Sequence, residues 1–315
     1  MIKQYINFKN SKNAIVTIAI GKKYISHWET YAKKSWEIYC NKYKLNLFVV
    51  SEDLIAKNHE KWKKPSWQKL LIADVFKKSN FKIDNICYLD TDILISPKAK
   101  NIFDYYYNEK RYGLISKIKE IPFPLLQTKK KIAFLRNRYY DDDYPLDSAL
   151  FITSDQAYNY SNLTPQDNDA CAGVILFNVN NHYKEMKDWF LKYDKNTISI
   201  TGGDQLHINW EIQNSKKVIW LKYDFQALWI YEIVTKYPFL YDKKICTNEL
   251  IASSIQACLL SVNFLHFAGS WHESYMWMNK NIITNSFLKL INDYQDYDNQ
   301  ILYGKPQGKI VPKNT

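Results

Sequence analysis

Apolar residues fall in short runs whose internal spacing switches between two periods. Ala14-Ile-Val-Thr-Ile-Ala-Ile20 is a continuous β-rich run that stops at Gly21, as expected of a buried parallel strand entering a loop. From His27 to Tyr43, the positions Trp28, Tyr31, Ala32, Ser35, Trp36, Tyr39, Cys40 and Tyr43 recur every three or four residues, which predicts a helix. Leu45-Asn-Leu-Phe-Val-Val50 reads as a second strand. Strand, helix and strand within about 40 residues open a doubly wound α/β sheet.

The alternation continues. Trp67 to Lys78 predicts a helix, and Ile86-Cys-Tyr-Leu89 a third strand that ends abruptly in Asp90-Thr-Asp92. Ile93-Leu-Ile95 follows and is stopped by Pro97, and an extended segment is expected at Tyr112–Ser116. Lys129 to Tyr144 reads as charged and irregular. Further strands are expected at Ala172–Asn178, Val218–Leu221 and Val262–Phe267, and helices at Tyr183–Tyr193, from about Gly203, and at the C-terminal end. The predicted fold is a single α/β domain with a mixed, mostly parallel sheet and helices on both faces. Residues 14–222 would form its ligand-binding core and residues 223–315 an acceptor-side extension.

Composition narrows the class. Only 8 Gly stand against 25 Tyr and 10 Trp in 315 residues, which favours a continuous aromatic-rich core over flexible linkers. The five cysteines are scattered without a C-x-x-C pair, so neither a zinc ribbon nor a disulfide framework is expected. No apolar run follows Met1-Ile-Lys-Gln-Tyr, and Leu250–Phe267 is broken by Ser253, Ser254, Gln256, Ser261, Asn263 and His266. A signal peptide and a membrane span are therefore not expected, and the chain reads as cytoplasmic. The net charge is +11, with basic clusters at Lys61–Lys64, at Lys129–Lys131 with Arg136 and Arg138, and at Lys305–Lys313. That charge suits an anionic membrane surface or a phosphorylated substrate. No zinc finger, RNP motif or helix-turn-helix signature points to nucleic acid. P-loop, G-x-G-x-x-G and G-x-S-x-G motifs are absent too, which removes three common enzyme classes.

The chemistry concentrates at Asp90 and Asp92. Two carboxylates two residues apart directly after a buried strand lie where open α/β sheets bind ligands. Carboxylates between apolar flanks are costly unless a cation meets them, and Mn²⁺ or Mg²⁺ shared with substrate phosphates suits that need. Asp141-Asp142-Asp143 and Asp167-Asn168-Asp169 also match D-x-D, but they lie in polar sequence and read as solvated.

Asp90-x-Asp92 after a strand resembles the D-x-D motif of GT-A fold glycosyltransferases, and Trp67-Gln-Lys69-Leu-Leu71 is similar to the approach to it in that superfamily. Three later segments resemble motifs of glycosyltransferase family 8 and related retaining enzymes, in their order: Cys171-Ala-Gly173-Val, Gly203-Asp204-Gln205-Leu-His-Ile-Asn209 and His266-Phe-Ala-Gly269. The resemblance implies a UDP-sugar or similar donor and a glycan or lipid-linked acceptor, as in surface polysaccharide or lipooligosaccharide synthesis. Asp90, Asp92 and His266 would hold the metal, Mn²⁺ or Mg²⁺. Thr17, Ala19, Lys69, Asp90, Thr91, Gly173 and Gly269 would contact the donor, Gly173 by letting the sugar approach the backbone. Asp204 would bind sugar hydroxyls and Gln205 would sit beneath the anomeric carbon. Taken alone, Asp204 reads equally well as a helix N-cap, and His266 as a core histidine. The chain departs from the pattern in two places. Cys171 stands where Asn is usual, and Ser270-Trp271-His272 stands where a Lys-containing segment follows the Gly. Trp229, Tyr231, Tyr237 and Phe239 would shape the acceptor side. The same carboxylate pair also suits a metal-dependent nucleotidyltransferase or a sugar-nucleotide hydrolase. The charge alone would suit a non-catalytic membrane- or polyanion-binding protein.

Overall fold

The computed structural model describes residues 2–116, 124–140, 152–197 and 203–303, with side chains to residue 294. The Lys305–Lys313 cluster and Asp141–Asp143 lie outside the described residues. The first half comprises β1 (Ile2–Ile6), β2 (Asn13–Ile18), α1 (Lys22–His27), α2 (Lys33–Tyr43), β3 (Asn46–Val50), α3 (Ile72–Lys78), β4 (Asn85–Leu89), β5 (Ile93–Ile95), β6 (Tyr112–Ser116), α4 (Leu125–Tyr140) and α5 (Ser154–Tyr160). The second comprises β7 (Ala170–Asn178), α6 (Val179–Lys192), α7 (Gln205–Asn214), β8 (Val218–Leu221), β9 (Ala227–Leu228), α8 (Trp229–Lys236), α9 (Asn248–Ser261), β10 (Phe264–His266), α10 (His272–Tyr275) and α11 (Asn285–Tyr303).

Seven strands form the main sheet in the order β1-β3-β2-β4-β7-β6-β8. The strands β3, β2, β4, β6 and β8 run one way and β1 and β7 the other, so the sheet is mixed and mostly parallel, as the sequence predicts. The strands β2, β3, β4, β6 and β7 are buried on both faces, which is why they read as continuous apolar runs. Alternate side chains serve two cores. Ile15, Leu47, Val49, Cys87 and Leu176 pack with Trp36 and Tyr39 of α2, and Val16, Phe48, Ile86 and Phe177 pack with Phe76 of α3 and Trp189 and Phe190 of α6. A three-stranded sheet, β5-β10-β9, stands beside it.

Several elements depart from expectation. The edge strand β1 pairs antiparallel with β3, and its Ile-Lys-Gln-Tyr-Ile composition hides it. Of the stretch expected to be irregular, residues 129–140 belong to α4, which buries Thr128, Ile132, Ala133, Leu135 and Arg136, and the rest lies outside the described residues. The broken apolar run from Leu250 becomes α9, whose N-cap Thr247 accepts from Leu250 N at 3.2 Å, followed by the short β10. Trp229 is fully buried, so it belongs to the core and not to an acceptor surface, whereas Phe239 is 40% exposed. Two members of the basic clusters are buried as well. Lys63 donates to Phe190 O at 2.5 Å, and burial, then neighbouring Lys61, pulls its pKa down to about 8. Arg136 pairs with Glu273, both fully buried. Among the described residues, no helix is long and apolar enough to cross a membrane.

Candidate metal centre and flanking cavities

The chain leaves the large sheet at Leu89 and enters the small one at Ile93, and Asp90-Thr91-Asp92 is the link between them. Each end is clamped by backbone: Asp90 N donates to Gly173 O at 2.9 Å, and Phe267 N donates to Asp92 O at 3.0 Å. In the small sheet, β10 runs antiparallel to β5 with His266 opposite Ile93. That register sets His266 beside Asp92, although 174 positions separate them in the sequence numbering.

His266 Nε2 lies 3.2 Å from Asp92 Oδ1 and 3.9 Å from Asp90 Oδ2. One potential ligand atom from each of the three residues lies within 4.8 Å of the others. The other ring nitrogen, Nδ1, faces the Gln226 side-chain amide at 3.1 Å and Cys171 Sγ at 3.7 Å. A histidine oriented at one nitrogen and open to carboxylates at the other is arranged like a metal ligand. Burial opposes charge on His266, but Asp92 and then Cys171 outweigh it and raise its pKa well above the usual range. Asp92 moves the other way: burial would raise it, yet the His266 charge and hydrogen bond hold it below the usual carboxylate range. Two carboxylates and an imidazole suit Mn²⁺ or Mg²⁺ with positions left for other ligands.

Neighbouring residues aim this group. The Tyr88 hydroxyl donates to Asp90 Oδ1 at 2.6 Å, which leaves Oδ2 toward His266. Lys69, 3% exposed, donates to Ala172 O at 2.9 Å and sits 3.5 Å from Asp90 Oδ1 and 3.1 Å from Asp204 Oδ2. Burial would discharge it, but Asp204 and Asp90 keep it protonated and raise its pKa. Gly173 closes the back of the cluster. A Cβ there would collide with His266 Cε1 and come within 2.7 Å of Gln226 Nε2 and 2.9 Å of Asp90 Oδ2.

Two cavities flank the cluster. One, of about 350 Å³, is lined by Ile18, Ile20, Tyr24, Lys64, Ser66 and Tyr88 and floored by Asp90, Thr91 and Asp92. The other, of about 310 Å³, adjoins the cluster through Cys171 and is lined by residues including Lys129, Asp169, Gln205, Tyr231, Gly269 and Trp271.

Asp90, Asp92, Thr91, His266, Gly173 and Lys69 thus come together, and Gln205 and Gly269 face the second cavity. Thr17 and Ala19 do not line either cavity. Both are essentially fully buried, and strand alternation presents Ile18 and Ile20 to the cavity instead. Asp204 occupies the N-cap position of α7 without making a side-chain cap hydrogen bond; it is 6% exposed and its carboxylate faces Lys69. What approaches Gly173 within the protein is His266, Gln226 and Asp90. Lys69 lies between Asp90 and Asp204, and His272 stacks on Tyr140 with ring centroids 4.3 Å apart. Sequence reasoning missed Tyr88 and Gln226. Tyr88 was findable, because the strand period places it on the same side as Asp90; nothing local marks Gln226.

No protein-family profile and no curated protein matches the sequence. The solved structures it is similar to are glycosyltransferases. One is involved in glycosylation of the major capsid of PBCV-1 (12% identity, 87% of this chain and 100% of that chain, TM-score 0.48). Another is the bifunctional glycosyltransferase WbbM (13% identity, 91% of this chain and 52% of that chain, TM-score 0.48). A third is the galactosyltransferase LgtC, solved with donor and acceptor sugar analogues (12% identity, 87% of this chain and 96% of that chain, TM-score 0.41).

Proposed function

We infer that the chain is a metal-dependent glycosyltransferase of GT-A type, moving a sugar from a nucleotide-sugar, UDP-linked by preference, to a glycan or lipid-linked acceptor. The observation that carries this reading is the Asp90, Asp92 and His266 group, held where the main sheet meets the small one and between two cavities. The cavity floored by the acids would take the nucleotide, and the one past Cys171 the acceptor. A bound Mn²⁺ or Mg²⁺ would neutralise charge gathering on the leaving diphosphate. The chain's own residues do the rest: Tyr88 and Lys69 fix Asp90, Gln226 fixes His266, and Gln205 faces the reacting sugar from the acceptor side. Retention of anomeric configuration follows from the motif resemblance. Residues 14–222 would serve the donor, with the segment from residue 223 completing the acceptor side. The net charge of +11 supports a cytoplasmic position at an anionic membrane surface, where lipid-linked acceptors reside. A second cavity favours transfer over hydrolysis, which needs no acceptor sugar.

Thermal unfolding with Mn²⁺, UDP and both together tests the reading. Ligands that bind the folded state raise its melting temperature, and UDP is expected to add a shift only when Mn²⁺ is present. A shift by UDP that ignores Mn²⁺, or no shift at all, would sink it. Mass-spectrometric screening of nucleotide sugars then identifies the donor.

A further inference from the structure

Residues 51–64 lead from β3 to the 3₁₀ turn at Pro65–Leu71 without regular secondary structure. Connections of that length in a compact domain tend to carry function. This one is held firmly at its far end. Lys63 is 1% exposed and donates to Phe190 O at 2.5 Å. Gln68, fully buried, donates to Lys63 O at 3.0 Å and accepts from Leu54 N at 2.6 Å. Trp67 N donates to Lys64 O at 3.0 Å, and Pro65 keeps the Lys64 backbone extended, at φ −49° and ψ 152°. The Lys64 backbone is therefore anchored on both sides. Its side chain is exposed and makes no hydrogen bond or ion pair with a described residue. Neighbouring lysines of the segment are engaged, Lys57 with Asp53 at 3.9 Å and Lys61 with Asp194 at 3.5 Å. Among the described residues, Lys64 is also the one basic side chain lining the cavity floored by Asp90, Thr91 and Asp92.

Charge says what belongs between this lysine and the acids. Lys69 lies between Asp90 and Asp204, so its charge is already met. A divalent cation held by Asp90, Asp92 and His266 would be largely neutralised by its own carboxylates. A diphosphate brought to that cation carries more negative charge than the cation has left to offer. Lys64 is the positive charge on the cavity wall that remains to meet it, and an ammonium on phosphate oxygens makes strong, charge-assisted hydrogen bonds. We propose that Lys64 binds the diphosphate of the nucleotide-sugar from the wall of this cavity. This rests on the glycosyltransferase reading and adds to it the residue that recognises the leaving group.

Two measurements on the full chain separate a lost contact from a damaged site. Electron paramagnetic resonance of free Mn²⁺ gives the affinity for the ion without nucleotide, and titration calorimetry at saturating Mn²⁺ gives the affinity for UDP. Lys64→Met is expected to bind UDP about tenfold more weakly. The same variant should bind Mn²⁺ at least as tightly as the parent, because a positive neighbour has gone. A lysine that only supports the fold would weaken both together. Lys64→Arg keeps the charge and should keep most of the UDP affinity. Lys57→Met removes the same charge outside the cavity and should bind UDP as the parent does. Added salt should weaken UDP binding more in the parent than in Lys64→Met. Parental UDP affinity in Lys64→Met, or an equal loss in Lys57→Met, would overturn the proposal. A parent that binds no UDP in the presence of Mn²⁺ would defeat the glycosyltransferase reading and this proposal with it, a result distinct from UDP binding that ignores Lys64.

Discussion

At the scale of single residues, Gly173 decides whether the metal centre can exist. Its missing Cβ is the space into which the side chains of His266, Gln226 and Asp90 converge; the nearest, the His266 ring, stands on β10, and the Asp90 carboxylate and Gln226 amide are held by Tyr88 and His266. Gly173→Ala is expected to fold with the helix content of the parent but to bind Mn²⁺ at least about tenfold more weakly, the scale of disturbing a ligand's supporting shell. Electron paramagnetic resonance of free Mn²⁺ reads this directly, and parental affinity in the variant would refute it. The raised pKa of His266 gives a second expectation. Its proton and a metal ion compete for Nε2, and because Asp92 and Cys171 hold that proton above the usual histidine range, competition extends through neutral pH. Mn²⁺ affinity should therefore rise steadily between about pH 6 and 8. An affinity that is flat over that interval would remove His266 from the ligand set. The Asp pair was legible in the sequence because a strand end is a specific place. The burial of Asp204 and Lys69 was not, because their partners lie far apart along the chain.

At the scale of elements, α4 shows why charge misleads. Its buried positions Thr128, Ile132, Ala133, Leu135 and Arg136 have ordinary helical spacing, but two of the five are polar, so the pattern looks irregular. Arg136 is inside only because Glu273, 137 residues away, meets it with two hydrogen bonds. Removing one member of a buried pair leaves the other without a counter-charge, at a cost of about 3–5 kcal/mol, whereas replacing both with apolar residues is often neutral. Urea denaturation of Glu273→Gln is expected to show a loss of that size, and Arg136→Met with Glu273→Leu to recover most of it. A loss below about 1 kcal/mol in Glu273→Gln would mean that water reaches the pair. Inner strands of the main sheet such as β3 and β7 were readable for the opposite reason: buried on both faces, they carry almost nothing but apolar residues.

At the scale of the whole molecule, the order of strands was beyond reach of pattern reading. Nothing in Ala170–Asn178 says that it inserts in reverse between β4 and β6, and nothing in Phe264–His266 says that it leaves the main sheet to pair with β5. Those two pairings build the site, one bringing Gly173 to Asp90 and the other His266 to Asp92. They also give it a mechanical character. Asp90 is tied to the large sheet, while Asp92 and His266 are tied to the small one, so a cation held by all three would act as a rivet across the seam. Without it, the seam is free to breathe; with it, opening requires release of the ion. At an ion concentration a hundred times its dissociation constant the linkage is worth about 2.7 kcal/mol. Amide hydrogen exchange in β5 and β10 should then slow by up to about a hundredfold on adding Mn²⁺, while β1, at the far edge, exchanges as before. Equal slowing everywhere would place the ion elsewhere. Filling the metal site and stiffening the small sheet would be one event.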